Sequence, residues 1–367
     1  MNETEHLGTE PSAVGLVEKL VQQAEQAGAS DIHLQMQGKT AQVMFRLDGV
    51  MTQVSTFPEE VAERVVGRIK FLARLKTYQD TLPQDGRIEK AEVGTRNDLR
   101  VATYPTVTGE KVVLRLFTET GAKPLDELGL PEAARREVEH CLRQPSGLVL
   151  LTGPAGSGKT TTIYACLGYL VRGGGRHIIT VEDPAEQILP GVMQTEIAEL
   201  RGLTFAVAAR HLLRQDPQVL VIGEIRDEET ATIVVRAALT GHLVISTLHA
   251  GSCRGVLERL LVMCSDHYAV ESALSLILNQ RLMRRVCRGC GGAGCAECLQ
   301  TGYHGRLPAV ECLPVTDAIR ARLRKEGPAG VLPSPSLAEA ADAWVKAGLT
   351  NAAELERVLG GAAAPAS

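Results

Sequence analysis

Gly153-Pro154-Ala155-Gly156-Ser157-Gly158-Lys159-Thr160 carries the spacing G-x4-G-K-T, follows an apolar run at residues 148–151 and precedes a helix-compatible segment. Strand, glycine-rich loop and helix in that order predict a phosphate loop for a nucleoside triphosphate. The glycines let backbone N–H groups turn inward around the phosphates. Lys159 reaches the outer phosphates, and the Thr160 hydroxyl, with Thr161 beside it, is placed to ligate Mg²⁺.

Working outward, the chain has 367 residues, of which 44% are hydrophobic and 22% charged, enough apolar material for more than one core. The net charge of −4 provides no global basic field, so nucleic-acid binding is not expected. The longest apolar runs, at 148–151 and 219–222, fall far short of the ~18 residues a membrane helix needs. Met1-Asn2-Glu3-Thr4-Glu5 has neither the basic nor the apolar region of a signal peptide, which predicts a cytoplasmic location. The nine cysteines are therefore read as thiols or metal ligands.

Residues 1–11 read as a polar tail and 358–367 as a Gly/Ala/Pro-rich one. Ser12 is a good N-cap for a helix with Val17, Leu20, Val21 and Ala24 on one face, closed by Gly28. Short strands follow at 32–34 and 42–47, then a helix at 58–75 and strands at 98–103 and 110–117. Residues 12–117 thus read as a small α+β domain, and 118–127, with Gly121 and Pro124, as a linker. From 128 to 357 strands and helices alternate, with strands at 148, 177–181, 219–222 and 243–247. That is an α/β domain whose phosphate loop lies at a strand's carboxyl end.

Val219-Leu220-Val221-Ile222-Gly223-Glu224 is a buried-strand pattern ending in an acid, the place for a general base that orients attacking water. A strand-end glutamate can instead merely cap the helix starting at Glu228. Glu182, Asp183 and Glu186 put three carboxylates at the exit of another strand, suited to ordering metal or water, or simply an acidic turn broken by Pro184. His242 and His249 stand at the two ends of one strand, where they can sense a phosphate or be structural. A phosphoryl transition state also rewards a positioned guanidinium. Arg100 and Arg115 on strands of the first domain, and Arg210 and Arg214 one helical turn apart, are the candidates.

Cys287-Arg288-Gly289-Cys290 and Cys295-Ala296-Glu297-Cys298 form two C-x2-C pairs separated by four residues. Four thiolates suit tetrahedral Zn²⁺, and the spacing predicts a small zinc-binding subdomain at 285–312. An iron–sulfur cluster would take the same ligands. Cys141, Cys166, Cys253, Cys264 and Cys312 have no such spacing and read as buried thiols.

Together these residues resemble the secretion ATPases of type II secretion and type IV pilus assembly over roughly 29–348. The resemblance rests on Ala29-Ser30-Asp31-Ile32-His33-Leu34, Leu82-Pro83-Gln84-Asp85-Gly86-Arg87, Glu182-Asp183-Pro184-Ala185-Glu186, Gly223-Glu224-Ile225-Arg226-Asp227 and the run 240–249. It implies a RecA-like motor domain that hydrolyses ATP with Mg²⁺, works as a hexameric ring and drives an inner-membrane platform inserting pilin-like subunits into a filament. It implies that Lys159, Glu186, Glu224 and His249 are catalytic-site groups, and that Arg100, Arg115, Arg210 and Arg214 supply charge to the phosphates. It also implies a short form, attached to the membrane only through partners. The spacer between its cysteine pairs is shorter than is usual for the family. Gly223 stands where a magnesium-holding Asp is common, and Ala250-Gly251-Ser252-Cys253 replaces a Thr-Asn-Asp run. The rival readings are a nucleic-acid translocating RecA-like ATPase and a nucleotide-sensing scaffold with little hydrolysis.

Overall fold

The computed structural model describes residues 12–116 and 123–360. The tails expected at 1–11 and beyond 360, and linker residues 118–122, lie outside the described residues. The chain divides into two compact units, one built from the N-terminal region plus Val286–Gly305, the other from the remainder.

In the first unit β1 (Asp31–Gln37), β2 (Thr40–Leu47), β3 (Val50–Pro58), β4 (Gln84–Ile88), β5 (Leu99–Thr106) and β6 (Gly109–Leu116) form an antiparallel sheet in the order β3-β2-β1-β6-β5-β4. Alternation sorts its two faces. Ile32, Leu34, Val43, Phe45, Val112 and Leu114 join one core with Val17, Leu20 and Val21 of the helix Ala13–Gln26 and Val65 and Ile69 of Glu59–Leu72. Ser12 caps the first helix as expected, its Oγ accepting from the Gly15 N–H at 3.2 Å.

The opposite face is polar. Arg100 pairs in register with Arg115, and Arg115 with Asp31. The buried Asp31 carboxylate accepts from Arg115 Nε at 3.0 Å and meets Arg46 Nε at 3.2 Å. Burial pushes the Asp31 pKa up, but hydrogen bonds from Arg115 and Ser30 outweigh it and hold the group below its ordinary value. At the edge of the hydrophobic layer, buried Lys70 reaches Glu110 at 2.9 Å and the Gln79 carbonyl at 2.7 Å.

The second unit is wound around β7 (Gly147–Thr152), β8 (Ile178–Glu182), β9 (Met193–Glu196), β10 (Val219–Ile222), β11 (Leu243–Leu248), β12 (Leu274–Val286) and β13 (Tyr303–Pro314), ordered β13-β12-β7-β11-β10-β8-β9. From β12 to β9 every neighbouring pair is parallel. Both faces of the central strands β7, β10 and β11 are covered, so these read as largely apolar runs, whereas the edge strand β9 is polar. Leu148 and Leu150 point into one core with the helices Phe205–Leu212, Glu228–Leu239 and Cys253–Met263, while Val149 and Leu151 point into the other with Glu132–Arg143 and Lys159–Gly173.

Three expectations about boundaries change. A 3-10 turn, Leu125–Leu128, buries Leu125 in a core of the second unit, so the described end of the expected linker is structured there. The helix Ala352–Leu359 extends past 357, where a tail was expected to begin. The cysteine segment, expected inside the motor domain, groups with the first unit. Leu299 packs on the first unit's core and the Gly305 N–H donates to Asp48 Oδ2 at 2.7 Å.

Candidate active site

Parallel pairing brings the carboxyl ends of β7, β8, β10 and β11 to one edge of the sheet, and each runs straight into one of the expected motifs. The cleft there is lined by Lys159, Thr160, Glu186, Glu224, Arg226 and His249, among others. Five of these six were expected from sequence.

The loop at 153–160 needs its glycines where backbone and neighbours leave no room. Gly153 has φ 141° and Gly158 φ 90°, and an added Cβ would stand 2.4 Å from the Gln280 carbonyl or 2.6 Å from Gln280 Nε2. Gly158 starts the helix Lys159–Gly173, so its first N–H groups face the loop. Lys159 Nζ donates to the carbonyls of Gly153 at 2.8 Å and Pro154 at 2.9 Å. Burial pushes the Lys159 pKa down; the charge of Glu224 opposes that and the charge of Arg281 adds to it.

Glu224 is held from both sides. Oε1 lies 2.7 Å from His249 Nε2, and Oε2 accepts from Arg226 Nε at 2.8 Å. Arg226 continues to Asp183 Oδ2 at 3.2 Å and lies over the Phe205 ring, 5.4 Å from its centroid. The Glu224 contact first, and Asp183 after it, hold the guanidinium above its ordinary pKa against the effect of burial. The alternative in which Glu224 merely caps a helix is not realised. Asp227 is the N-cap of Glu228–Leu239, its Oδ1 accepting from the Thr230 N–H at 2.7 Å. Ile225 between them is buried.

The acidic cluster splits into unlike roles. Glu182 also lines the cleft, but it is buried and accepts from Tyr164 Oη at 2.5 Å, Thr180 Oγ1 at 2.6 Å and Gln194 Nε2 at 3.0 Å, which anchor it to the protein. Burial, and then the bond to Glu182, raise the Tyr164 pKa well above the usual phenol value. Tyr164 Oη also accepts from the Glu186 N–H at 3.1 Å, which fixes the turn that presents Glu186 to the cleft. The two histidines separate as well. His249 is in the cleft, whereas His242 immediately precedes β11 at its other end, where Nδ1 meets the Ala237 carbonyl at 2.9 Å and closes the preceding helix.

Of the arginines, Arg210 pairs with Glu229 on the next helix, and Arg214 is exposed after Leu212 ends its helix; neither lines the cleft. Arg100 and Arg115 belong to the polar sheet face of the first unit. Arg226 is the cationic cleft residue that sequence reasoning passed over. Its signal was its two-residue spacing from Glu224.

The four spaced cysteines converge. Their sulfurs all lie within 4.8 Å of one another, with Cys287–Cys295 at 3.9 Å, Cys290–Cys298 at 3.8 Å and Cys295–Cys298 at 3.7 Å. A tetrahedron with Zn–S bonds of ~2.3 Å requires S···S distances of about 3.8 Å, whereas a disulfide requires about 2.0 Å. The arrangement fits zinc. Burial of Cys298 is overridden by N–H groups of Cys295 and Gly302 and by the neighbouring thiols, which bring its pKa down to about 6. Of the five other cysteines, Cys141, Cys166, Cys253 and Cys264 are buried as expected, while Cys312 is only partly covered.

Residues 7–357 match the family described as Type II/IV secretion system protein. The chain belongs to this family. It is 40% identical to the type II secretion system protein HxcR of Pseudomonas aeruginosa over 97% of its own length and 79% of that protein. It is also 40% identical to the type IV pilus assembly ATPase PilB of Myxococcus xanthus over 84% of this chain and 59% of the relative. Among solved structures, the pilus retraction motor PilT with bound ADP superposes with a TM-score of 0.66 at 26% identity, covering 95% of this chain and 97% of that one. The Legionella pneumophila ATPase DotB shares the fold, with a TM-score of 0.73 at 20% identity over 97% and 98%. The family member is a P-loop ATPase and an ATP-driven motor of secretion or pilus assembly.

Proposed function

We propose that the chain hydrolyses Mg-ATP in this cleft and assembles as a hexamer that powers growth of a pilin-like filament at an inner-membrane platform. The observation that carries the catalytic part is Glu224 pinned between His249 and Arg226 beside Lys159. Two contacts leave the carboxylate little freedom, and a base so oriented takes the proton of an attacking water. Lys159 and the loop N–H groups hold the β- and γ-phosphates, and Thr160 ligates the magnesium ion. That ion supplies charge neutralisation along the triphosphate. Glu186 and His249 order water and the γ-phosphate. Arg100, Arg115, Arg210 and Arg214 supply positive charge to the phosphates in the assembled ring.

The cysteine cluster holds one structural Zn²⁺, which closes a segment with few apolar residues of its own. No helix among the described residues is long and apolar enough to cross a membrane. The motor works in the cytoplasm, attached to its platform through partners. The test is phosphate release by the purified protein with Mg-ATP, alone, with DNA and with the platform protein, beside Lys159→Ala. Turnover that is stimulated by the platform, is indifferent to DNA and is lost in Lys159→Ala is expected. Turnover driven by DNA would replace this reading with a nucleic-acid motor.

A further inference from the structure

We propose that Asn279, Gln280 and Arg281 of β12 clamp the loop after His249 against the phosphate loop, with Arg281 as a positioning residue for hydrolysis. The inference rests on the reading that His249 works with Glu224. Register places the clamp. Thr152, the last residue of β7, pairs with Leu248 on one side and with Asn279 on the other. The chain therefore enters the phosphate loop at Gly153 with His249 and Gln280 as lateral neighbours. Strand alternation then sends Asn279 and Arg281 to one side and Gln280 to the other.

On the histidine side every link is a hydrogen bond. Arg281 Nη1 donates to Asn279 Oδ1 at 2.8 Å, and Nη2 to the Gly251 carbonyl at 3.2 Å. Asn279 Nδ2 donates to the same carbonyl at 3.1 Å and to Glu311 Oε2 at 2.8 Å, and that oxygen also accepts from the Cys253 N–H at 3.2 Å. Thr152 Oγ1 and the Ala250 backbone exchange two bonds at 2.9 Å. The segment that carries His249 is thus fixed at residues 250, 251 and 253. On the phosphate side, Gln280 Oε1 accepts from Thr162 Oγ1 at 3.0 Å, and its carbonyl and amide fill the spaces that side chains at Gly153 and Gly158 would need. One tripeptide therefore sets both loops, and a displacement of about 1 Å at a reacting centre costs on the order of 10²-fold in rate.

The experiment is a double-mutant cycle at saturating Mg-ATP, with binding of a fluorescent ATP analogue measured in parallel. Arg281→Met keeps the length of the stem and removes the donors. It is expected to lower kcat about 10- to 100-fold, with analogue affinity within about threefold. In a His249→Ala background the same change is expected to cost less than about twofold, because its effect passes through the histidine. Equal losses in both backgrounds, or an unchanged kcat, would overturn the clamp. Full activity of His249→Ala alone would overturn the underlying site reading instead. Should Arg281→Met lose its cooperative melt, Arg281→Lys carries the test. It offers a single ammonium for two acceptors and is expected to lower kcat by about 3- to 10-fold with analogue affinity unchanged, and wild-type kcat there rejects the proposal.

Discussion

Glu224→Gln isolates the charge from the shape of the proposed base. The side chain keeps its size, but one oxygen becomes an NH2 group. In the native site Oε1 faces His249 Nε2 at 2.7 Å and Oε2 faces the Arg226 Nε–H at 2.8 Å, so the amide can serve only one of them as acceptor. Loss of a positioned general base slows the chemical step by roughly 10²- to 10⁴-fold, equivalent to about 2.7–5.4 kcal/mol on the barrier. Binding moves differently. Glu224 only partly offsets the burial that lowers the Lys159 pKa, but it is also a negative charge in the cleft that repels the triphosphate, and the amide removes that repulsion. Affinity for ATP is therefore expected to hold or tighten while kcat collapses. The assay pairs steady-state phosphate release with equilibrium binding of a fluorescent ATP analogue. A kcat within about threefold of the native enzyme, or an equal loss of affinity and kcat, would refute the assignment.

Lys70→Met leaves the Glu110 carboxylate buried without its partner and is expected to cost about 3–5 kcal/mol in urea unfolding followed by circular dichroism, with Glu110→Leu restoring most of it. Asp31 has a folded pKa below its ordinary 3.8, so its ion pairs contribute stability above that pH that is lost as pH falls through the folded value. Asp31→Asn is expected to be less stable at pH 7 and to lose less on acidification, and parallel pH curves for the two proteins would contradict this. Purified protein is expected to carry about one zinc per chain by elemental analysis, and Cys290→Ser to lower both that content and the resistance of the cysteine segment to proteolysis.

What the sequence disclosed depended on how local the cause was. Residues 148–151 and 219–222 are apolar because both faces of their strands are covered, so the parallel sheet was legible. The phosphate loop was legible because its constraint lies within eight consecutive residues. β4 and β9 were missed, since Gln84-Asp85-Gly86-Arg87-Ile88 and Met193-Gln194-Thr195-Glu196 are polar edge strands with little burial to mark them. Gln280 illustrates a different limit. Its partner Thr162 is 118 residues away, and no local pattern announces that a glutamine's carbonyl is the reason for a glycine at 153. His242 and His249 looked equivalent until strand direction separated them by the length of β11, roughly 20 Å.

Asp31 has a consequence for how Arg115 responds to any arriving anion. Arg115 is exposed to solvent, but its guanidinium is already engaged by a carboxylate that also meets Arg46, so it is not a free charge. Recruiting it is an exchange of one anion for another, and the driving force is only the difference between the two pairings. If Arg115 serves the phosphates of the assembled ring as proposed, a weakly charged ligand would leave the pair intact and only a multiply charged phosphate would displace it. In the role proposed for Arg115, the same carboxylate would keep the arginine pre-aligned on its strand and recover it when the ligand departs, so the resting partner would act as a threshold and a return spring at once.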